Sequence, residues 1–274
     1  MSVDNAQYEK VVATYDSILG TAVRRSDTLN MLHCIGSVEG KSVLDFSTGT
    51  GYFARTLSKM GAKHVVGVDV SQGMLDAARN VTEREPQIPG GVAKYELGDV
   101  FKPLKLLHCP EASRDLITGA WCLNYAGDQT MMDQAWRNIA RYLKPGGRFV
   151  GVIPNDYMPW LGDDERYFDF SYKRIDQVKD GHVCKLTLHA KEQPVSFNAY
   201  ILAHSVFETG AKSAWLVDVA LTDPTLLPEF EGTEEEELLE QLLGSSPVQS
   251  HGGDKAWAGV SWRSTDGRRE AHNI

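Results

Sequence analysis

The feature that most constrains this chain is the nine-residue run Val43–Gly51, VLDFSTGTG. A short apolar strand passes directly into glycines and hydroxyl residues. Phe53, Leu57 and Met60 then recur at spacings of three and four, the period of a helix face. Gly49 and Gly51, with Thr50 between them, allow a tight turn and a close backbone approach to a ligand. No lysine follows the glycines, so a phosphate-cradling P-loop is poorly supported, and the turn also departs from the three-glycine GxGxxG pattern.

The same alternation continues downstream. Val65–Val68 reads as a second strand, and Ser71 as the N-cap of a helix carrying Met74, Ala78 and Val81. A turn at Pro86–Gly91 precedes a strand near Ala93–Leu97, and residues 115–120 read as a buried strand. Met132, Ala135, Ile139 and Leu143 make one helical face, and the turn Lys144–Gly147 leads into a strand over Arg148–Ile153. Strands alternating with crossover-length helices predict a mostly parallel sheet covered on both faces.

The flanks read differently. Val11, Val12, Tyr15, Ile18 and Leu19 predict an amphipathic helical N-terminal segment, with Gly36 a stop for a second stretch. After Pro154 the chain reads as an irregular aromatic and acidic insertion, then a strand over Val183–His189, a helix over Phe197–Phe207, and a strand marked by Trp215, Val217 and Val219. These late strands suggest an antiparallel sheet edge. The block 229–240 holds seven glutamates and reads as an exposed helix or loop, and the tail from Ser261 as a polar, fraying end. This divides the chain into a helical lid (1–39), a main domain (40–228, with its insertion at about 155–182), and an acidic C-terminal extension (229–274).

The formal charge of -9 argues against a basic nucleic-acid or anionic-membrane face. No apolar stretch reaches membrane-spanning length, and MSVDNAQYEK is not a signal peptide. Four scattered cysteines without a CxxC pair support neither a disulfide framework nor a closed zinc site. A soluble, cytoplasmic protein is expected, with no nucleic-acid or membrane partner.

Three acids fall at strand ends, where open α/β sheets bind ligands. Asp69, about twenty residues after the glycine turn, could accept both hydroxyls of a ribose. Asp99 could accept from an adenine amino group, and Asp45 could hold backbone amides or a ligand amine. Each taken singly also reads as a cap or turn acid, and Met74 as a core side chain; the ordered set is what carries weight.

VLDFSTGTGYF, GVDVSQGML, GDV, DLITGAWCLNYA and LKPGGRF together resemble, in order, the sequence motifs of the class I S-adenosylmethionine-dependent methyltransferases, small-molecule branch. The resemblance covers roughly residues 40–153, and more loosely Tyr15-Asp16. It implies a Rossmann-like, doubly wound, seven-stranded, mostly parallel α/β sheet with an antiparallel edge strand, and S-adenosylmethionine as cofactor. It also implies roles. Asp45 and the loop Ser47, Gly49 and Gly51 would hold the methionine moiety, and Asp69 with Val70 the ribose. Asp99 and Val100 would hold the adenine, with Met74 against the base. Trp121 would contact the cofactor through its backbone, and Tyr15 would close over it. Ser47 departs from the glycine usual at that position.

Methyl transfer from a sulfonium needs alignment and exclusion of water more than a strong acid or base. Candidates beside the acceptor are Asn124 and Tyr125 after the fourth strand, Asp156 with its neighbours Asn155 and Tyr157 after the fifth, and His189 as a mobile-proton group. The expected activity is transfer to N or O of a small, natural-product-like acceptor by a monomer or homodimer. A non-catalytic partner subunit, a protein methyltransferase and a nicotinamide-dependent oxidoreductase are the alternatives.

Overall fold

The computed structural model describes residues 5–85, 93–154, 163, 166–222, 227–244 and 258–264. The N-terminal segment is a series of short turns rather than one helix. A 3-10 turn over Asn5–Lys10 leads to α1 (Val12–Tyr15), a second 3-10 turn (Asp16–Gly20) and then α2 (Ala22–Ile35). Thr21 is extended, at ψ 147°, and separates α2 from what precedes it. Gly36, at φ 60°, ends α2, as its left-handed conformation suits glycine.

The central unit follows the alternation read from the sequence: β1 (Ser42–Phe46), α3 (Tyr52–Lys59), β2 (His64–Asp69), α4 (Gln72–Arg84), β3 (Lys94–Leu97), β4 (Arg114–Ala120), α5 (Gln129–Tyr142) and β5 (Leu143–Ile153). Two helix starts have side-chain caps. Ser71 accepts from Met74 N at 3.1 Å, and Asp128 from Met131 N at 2.9 Å, each satisfying a first-turn amide. On α5, Met132, Ala135 and Ile139 of the expected face are buried, together with Trp136 and Tyr142, whereas Leu143 opens β5 instead of continuing the helix.

β1 to β5 pair in parallel. The sheet has seven strands, and β1 lies between β2 and β4. The chain therefore builds outward from β1 to β2 and β3, then crosses to β4 on the other side. That reversal opens a crevice at the carboxyl ends of β1 and β4.

The second half departs from expectation in three places. Where an irregular insertion was expected, β6 (Arg166–Tyr167) and β7 (Phe170–Val178) join β8 (Gly181–His189) and β9 (Pro194–Leu202) in a separate four-stranded antiparallel sheet. Most of β7 is exposed, so backbone pairing along β8 defines it, not burial alternation. Phe197–Phe207 is not a helix throughout: β9 occupies it as far as Leu202, and α6 (His204–Ser213) begins after Ala203. Ala199 to Leu202 are buried without a break, and such an apolar run does not separate strand from helix by period.

β10 (Leu216–Thr222) then forms the far edge of the large sheet, followed by α7 (Glu234–Gly244) and β11 (Ala258–Ser264). β11 includes Ser261, where the sequence suggested a fraying tail. It pairs antiparallel with both β5 and β10, so the antiparallel strand lies inside the sheet and not at its edge.

The glutamate run also has a structural part. Glu235 is buried on α7 and accepts a hydrogen bond from Arg25 of α2. Burial alone would raise its carboxyl, but hydrogen bonds from Thr233 and Arg25 outweigh it and hold the group below the ordinary glutamate value. Among the described residues no helix is long and apolar enough to cross a membrane.

Candidate active site

The turn between β1 and α3 is wound in the left-handed region, with Ser47 at φ 53°, Gly49 at φ 54° and Gly51 at φ 80°. At Gly51 a β-carbon would lie 2.5 Å from the Tyr95 hydroxyl oxygen, so only glycine fits. At Gly49 it would lie 3.5 Å from the Tyr15 ring, which sits over the loop. Ser47 adopts the same backbone region without being glycine, which costs about 1 kcal/mol.

Asp45 buttresses this turn from below. Its carboxylate accepts from Thr48 Oγ1 at 2.6 Å and Thr118 Oγ1 at 2.7 Å. Burial pushes its pKa up to about 6 in spite of these hydroxyls. Asp69, at the end of β2, accepts from Gly49 N at 2.8 Å and Ser71 N at 3.0 Å. It thereby ties the glycine turn to the start of α4. Burial raises its carboxyl as well. Two of the lone-pair positions of Asp69 are used by amides, leaving others for ligand hydroxyls.

These elements line a cavity that opens to solvent. Of the cofactor residues expected from the sequence, Ser47, Gly49, Asp69 and Val70 line its glycine-turn and β2 side. Met74, Asp99 and Val100 line the side beyond β3, and Tyr15 and Trp121 the remaining wall. Asp45 and Gly51 do not line it; they shape the turn from behind. Asp99 accepts from Phe101 N at 2.9 Å and pairs with Lys102 at 3.1 Å.

Trp121 stands at φ 58° after β4. Its indole N–H donates to Asp27 of α2 at 2.8 Å, and its backbone N–H to Val152 O at 3.1 Å. Burial pushes Asp27 up to about 6, against the pull of Arg24 and the indole bond.

The acceptor-side candidates separate. Tyr125 lines the cavity, and its hydroxyl is hydrogen-bonded to that of Tyr8. Burial pushes the phenols of Tyr8, Tyr15 and Tyr125 above the ordinary value. Asn124 is fully buried beside Tyr125 but is not in the wall. The structure does not bring His189 to the cavity. It lies at the end of β8, with Nε2 3.0 Å from Ser171 Oγ across the small sheet and its backbone N–H donating to Asp169 O. It was a candidate by residue type alone, and strand pairing sets it in that sheet. Asp156, with Asn155 and Tyr157, lies outside the described residues.

Tyr8 was not among the sequence candidates. It precedes Tyr15 by seven residues, two helical turns, and that spacing is the signal that could have found it. The lid that carries both is tied down at three points. Gln7 exchanges two hydrogen bonds with the backbone of Asn198 on β9, at 3.0 and 2.7 Å. Glu9 accepts from Ser71 Oγ at 2.6 Å and Gly73 N at 3.3 Å. Asp16 accepts from Thr50 Oγ1 in the glycine turn.

The cavity suits a nucleoside bearing a short cationic chain. Met74 and Val100 give an apolar slot, Asp69 keeps acceptor capacity, and Gly49 leaves room for close approach. Asp69 and Asp99 are the charged side chains among the described wall residues, and both are acidic.

Comparison with known proteins agrees. Residues 44–151 match the methyltransferase domain family. A demethylmenaquinone methyltransferase of Tropheryma whipplei is 35% identical over 150 residues, 52% of this chain and 55% of that protein. The chain spans between a quarter and just over half the length of the curated relatives it matches. Among solved structures, an S-adenosylmethionine-dependent methyltransferase from Clostridium acetobutylicum shares the fold at TM-score 0.60 and 17% identity, covering 94% of this chain and 99% of its own. The amino pentose methyltransferase CalS10 of Micromonospora echinaspora, solved with S-adenosylmethionine, has TM-score 0.53 and 16% identity, covering 92% and 95%. Domain match, strand arrangement and cavity converge: residues 44–151 form a methyltransferase domain, and the chain shares its fold with S-adenosylmethionine-dependent methyltransferases.

Proposed function

We propose that this chain transfers a methyl group to nitrogen or oxygen of a small, natural-product-like molecule by in-line displacement. The observation that carries the reading is the walled cavity at the β1–β4 crevice, closed by a lid whose Tyr15 stands over the glycine turn and whose Tyr8 lines the cavity. Bound S-adenosylmethionine supplies a methyl group already activated by the positive charge on its sulfur. The chain's own residues then have three tasks. Ser47, Gly49 and Trp121 would hold the methionine end, Asp69 the ribose, and Met74, Val100 and Asp99 the base. Tyr8, Tyr15 and Tyr125 exclude water and align the acceptor, the kind of work that lowers a displacement barrier most. The negative chain and acidic wall favour a small acceptor over nucleic acid. An amino sugar is the acceptor class named for CalS10; carbon methylation is named for the quinone-pathway relatives. We place the protein in the cytoplasm, acting as a monomer or homodimer.

The test is a tritiated methyl-donor assay on fractionated metabolites, with the donor's affinity followed by calorimetry. Label is expected in a small-molecule fraction, with Asp69→Ala lowering donor affinity at least about tenfold through loss of ribose and turn hydrogen bonds. Tight donor binding with no labelled acceptor would favour instead a partner-subunit role. The left-handed Ser47 where the family carries glycine is the observation behind that second reading.

A further inference from the structure

We propose that Tyr8, Tyr15 and Tyr125 form an aromatic cage for a basic amine, so that the acceptor is an alkylamine methylated at nitrogen. This rests on reading the cavity as a methyl-transfer site and narrows it to one acceptor class.

The rings are set as walls, not as a stack. Tyr8 stands nearly perpendicular to Tyr15, at 72° and 6.0 Å between centroids, and to Tyr125, at 78° and 5.7 Å. All three line the cavity, joined by Trp121 and Phe101. Rings of differing orientation that line one cavity can offer it a π face, and that face carries the negative density that attracts an alkylammonium group. No fixed positive charge opposes a cation there, since no lysine, arginine or histidine is among the described wall residues. Arg24, whose charge reaches Tyr15 and Tyr125, is paired with Asp27 at 3.7 Å and lies outside the wall. A carboxylate acceptor would meet like charge and π faces. An alcohol would have to lose a proton to a base, and burial holds these three phenols protonated.

The step balances without a further reactant. The amine enters as its ammonium form and releases a proton to solvent. Its nitrogen lone pair then forms the new N–C bond as the S–C bond breaks, and that bond's electron pair stays on sulfur as a neutral thioether. The positive charge thus passes from sulfur to nitrogen, inside a cage suited to it. The product of a primary or secondary amine then loses one more proton to water, and that of a tertiary amine stays a quaternary cation.

The same cage could instead wrap the donor's sulfonium, and the experiment separates the two. The full chain is saturated with S-adenosylhomocysteine and titrated with choline, a product-like quaternary amine, and with its neutral isostere 3,3-dimethylbutan-1-ol, by calorimetry. Choline is expected to bind about tenfold or more tighter than the isostere, within the reach of a desolvated cation–π contact. Tyr8→Leu and Tyr125→Leu should each lower choline affinity about tenfold while leaving S-adenosylhomocysteine affinity within about threefold, which also shows that the variants are folded. Tyr8→Phe, which keeps the ring, should retain choline binding within about threefold. Equal binding of choline and isostere overturns the proposal. So does a result in which the Leu variants weaken S-adenosylmethionine relative to S-adenosylhomocysteine with choline binding untouched. Failure of S-adenosylhomocysteine itself to bind would instead remove the methyl-transfer reading beneath it.

Discussion

At the scale of single residues, two positions trade stability for the shape of the site. Ser47 holds a left-handed backbone, φ 53°, beside the cavity. Ser47→Gly removes the β-carbon strain, partly offset by the greater freedom of glycine in the unfolded chain. The variant should be about 0.5 kcal/mol more stable in urea unfolding; a destabilised variant would mean that the serine hydroxyl, which contacts the Cys122 thiol, outweighs the strain. Asp45 is the second. Its folded pKa of about 6 lies above the ordinary 3.8, so the folded chain holds this proton more tightly than the unfolded chain does. The resulting stability is complete below about pH 4 and is lost as pH rises through about 6. Asp45→Asn has no charge to desolvate, and the Thr48 and Thr118 hydroxyls can rotate to serve an amide. Its stability relative to the parent chain should therefore rise by up to about 3 kcal/mol between pH 4 and pH 7.5, seen in melting temperatures across that range. A difference that does not change with pH would contradict the buried charge.

Among elements, the lid decides access. Its 3-10 and α1 turns are too short to hold themselves, so side chains hold them: Gln7 on β9, Glu9 on the start of α4, and Asp16 on the glycine turn. Ser71 serves twice, capping α4 with its hydroxyl oxygen and donating the hydroxyl proton to Glu9. Loss of a charge-assisted contact of this kind costs about 1.5–3 kcal/mol. Glu9→Ala should accordingly speed tryptic cleavage at Lys10 and donor release in stopped flow by about tenfold; unchanged rates for both would mean that the lid opens elsewhere. The elements around the lid were unevenly legible. α5 announced itself because its buried face repeats at helix spacing. β7 did not, because Lys173, Arg174 and Asp176 face solvent and its partner strand supplies the order.

The whole molecule turns on its last described strand. β11 fills the place between β5 and β10 and is the antiparallel partner of both. Without it β10 has no strand neighbour, and the edge of β5 is left with unpaired backbone groups. Truncation after residue 257 should abolish a single cooperative unfolding transition and leave the chain aggregation-prone, as read by calorimetry and light scattering. A truncated chain that melts as sharply as the full one would show the sheet to be complete without β11. The same long-range logic applies to the glutamate run. Arg25 of α2 takes Glu235 out of solvent, and α2 in turn positions Trp121 through Asp27.

The sequence by itself determined the β–α alternation from β1 to β5, the glycine turn and the acids at the strand ends. All of these are local: apolar period, caps and turn chemistry sit within a few residues of one another. It also brought Asp69 and Asp99 into one functional reading, because a parallel sheet delivers the loops after its strands to one end; Tyr15 and Trp121 joined them through the family resemblance. Only the tertiary structure decided that Tyr8 joins Tyr15 and Tyr125, that His189 lies in another sheet, and that a polar C-terminal segment becomes an interior strand. Those outcomes depend on backbone pairing and packing between residues more than a hundred positions apart in several cases, where no local period carries the signal.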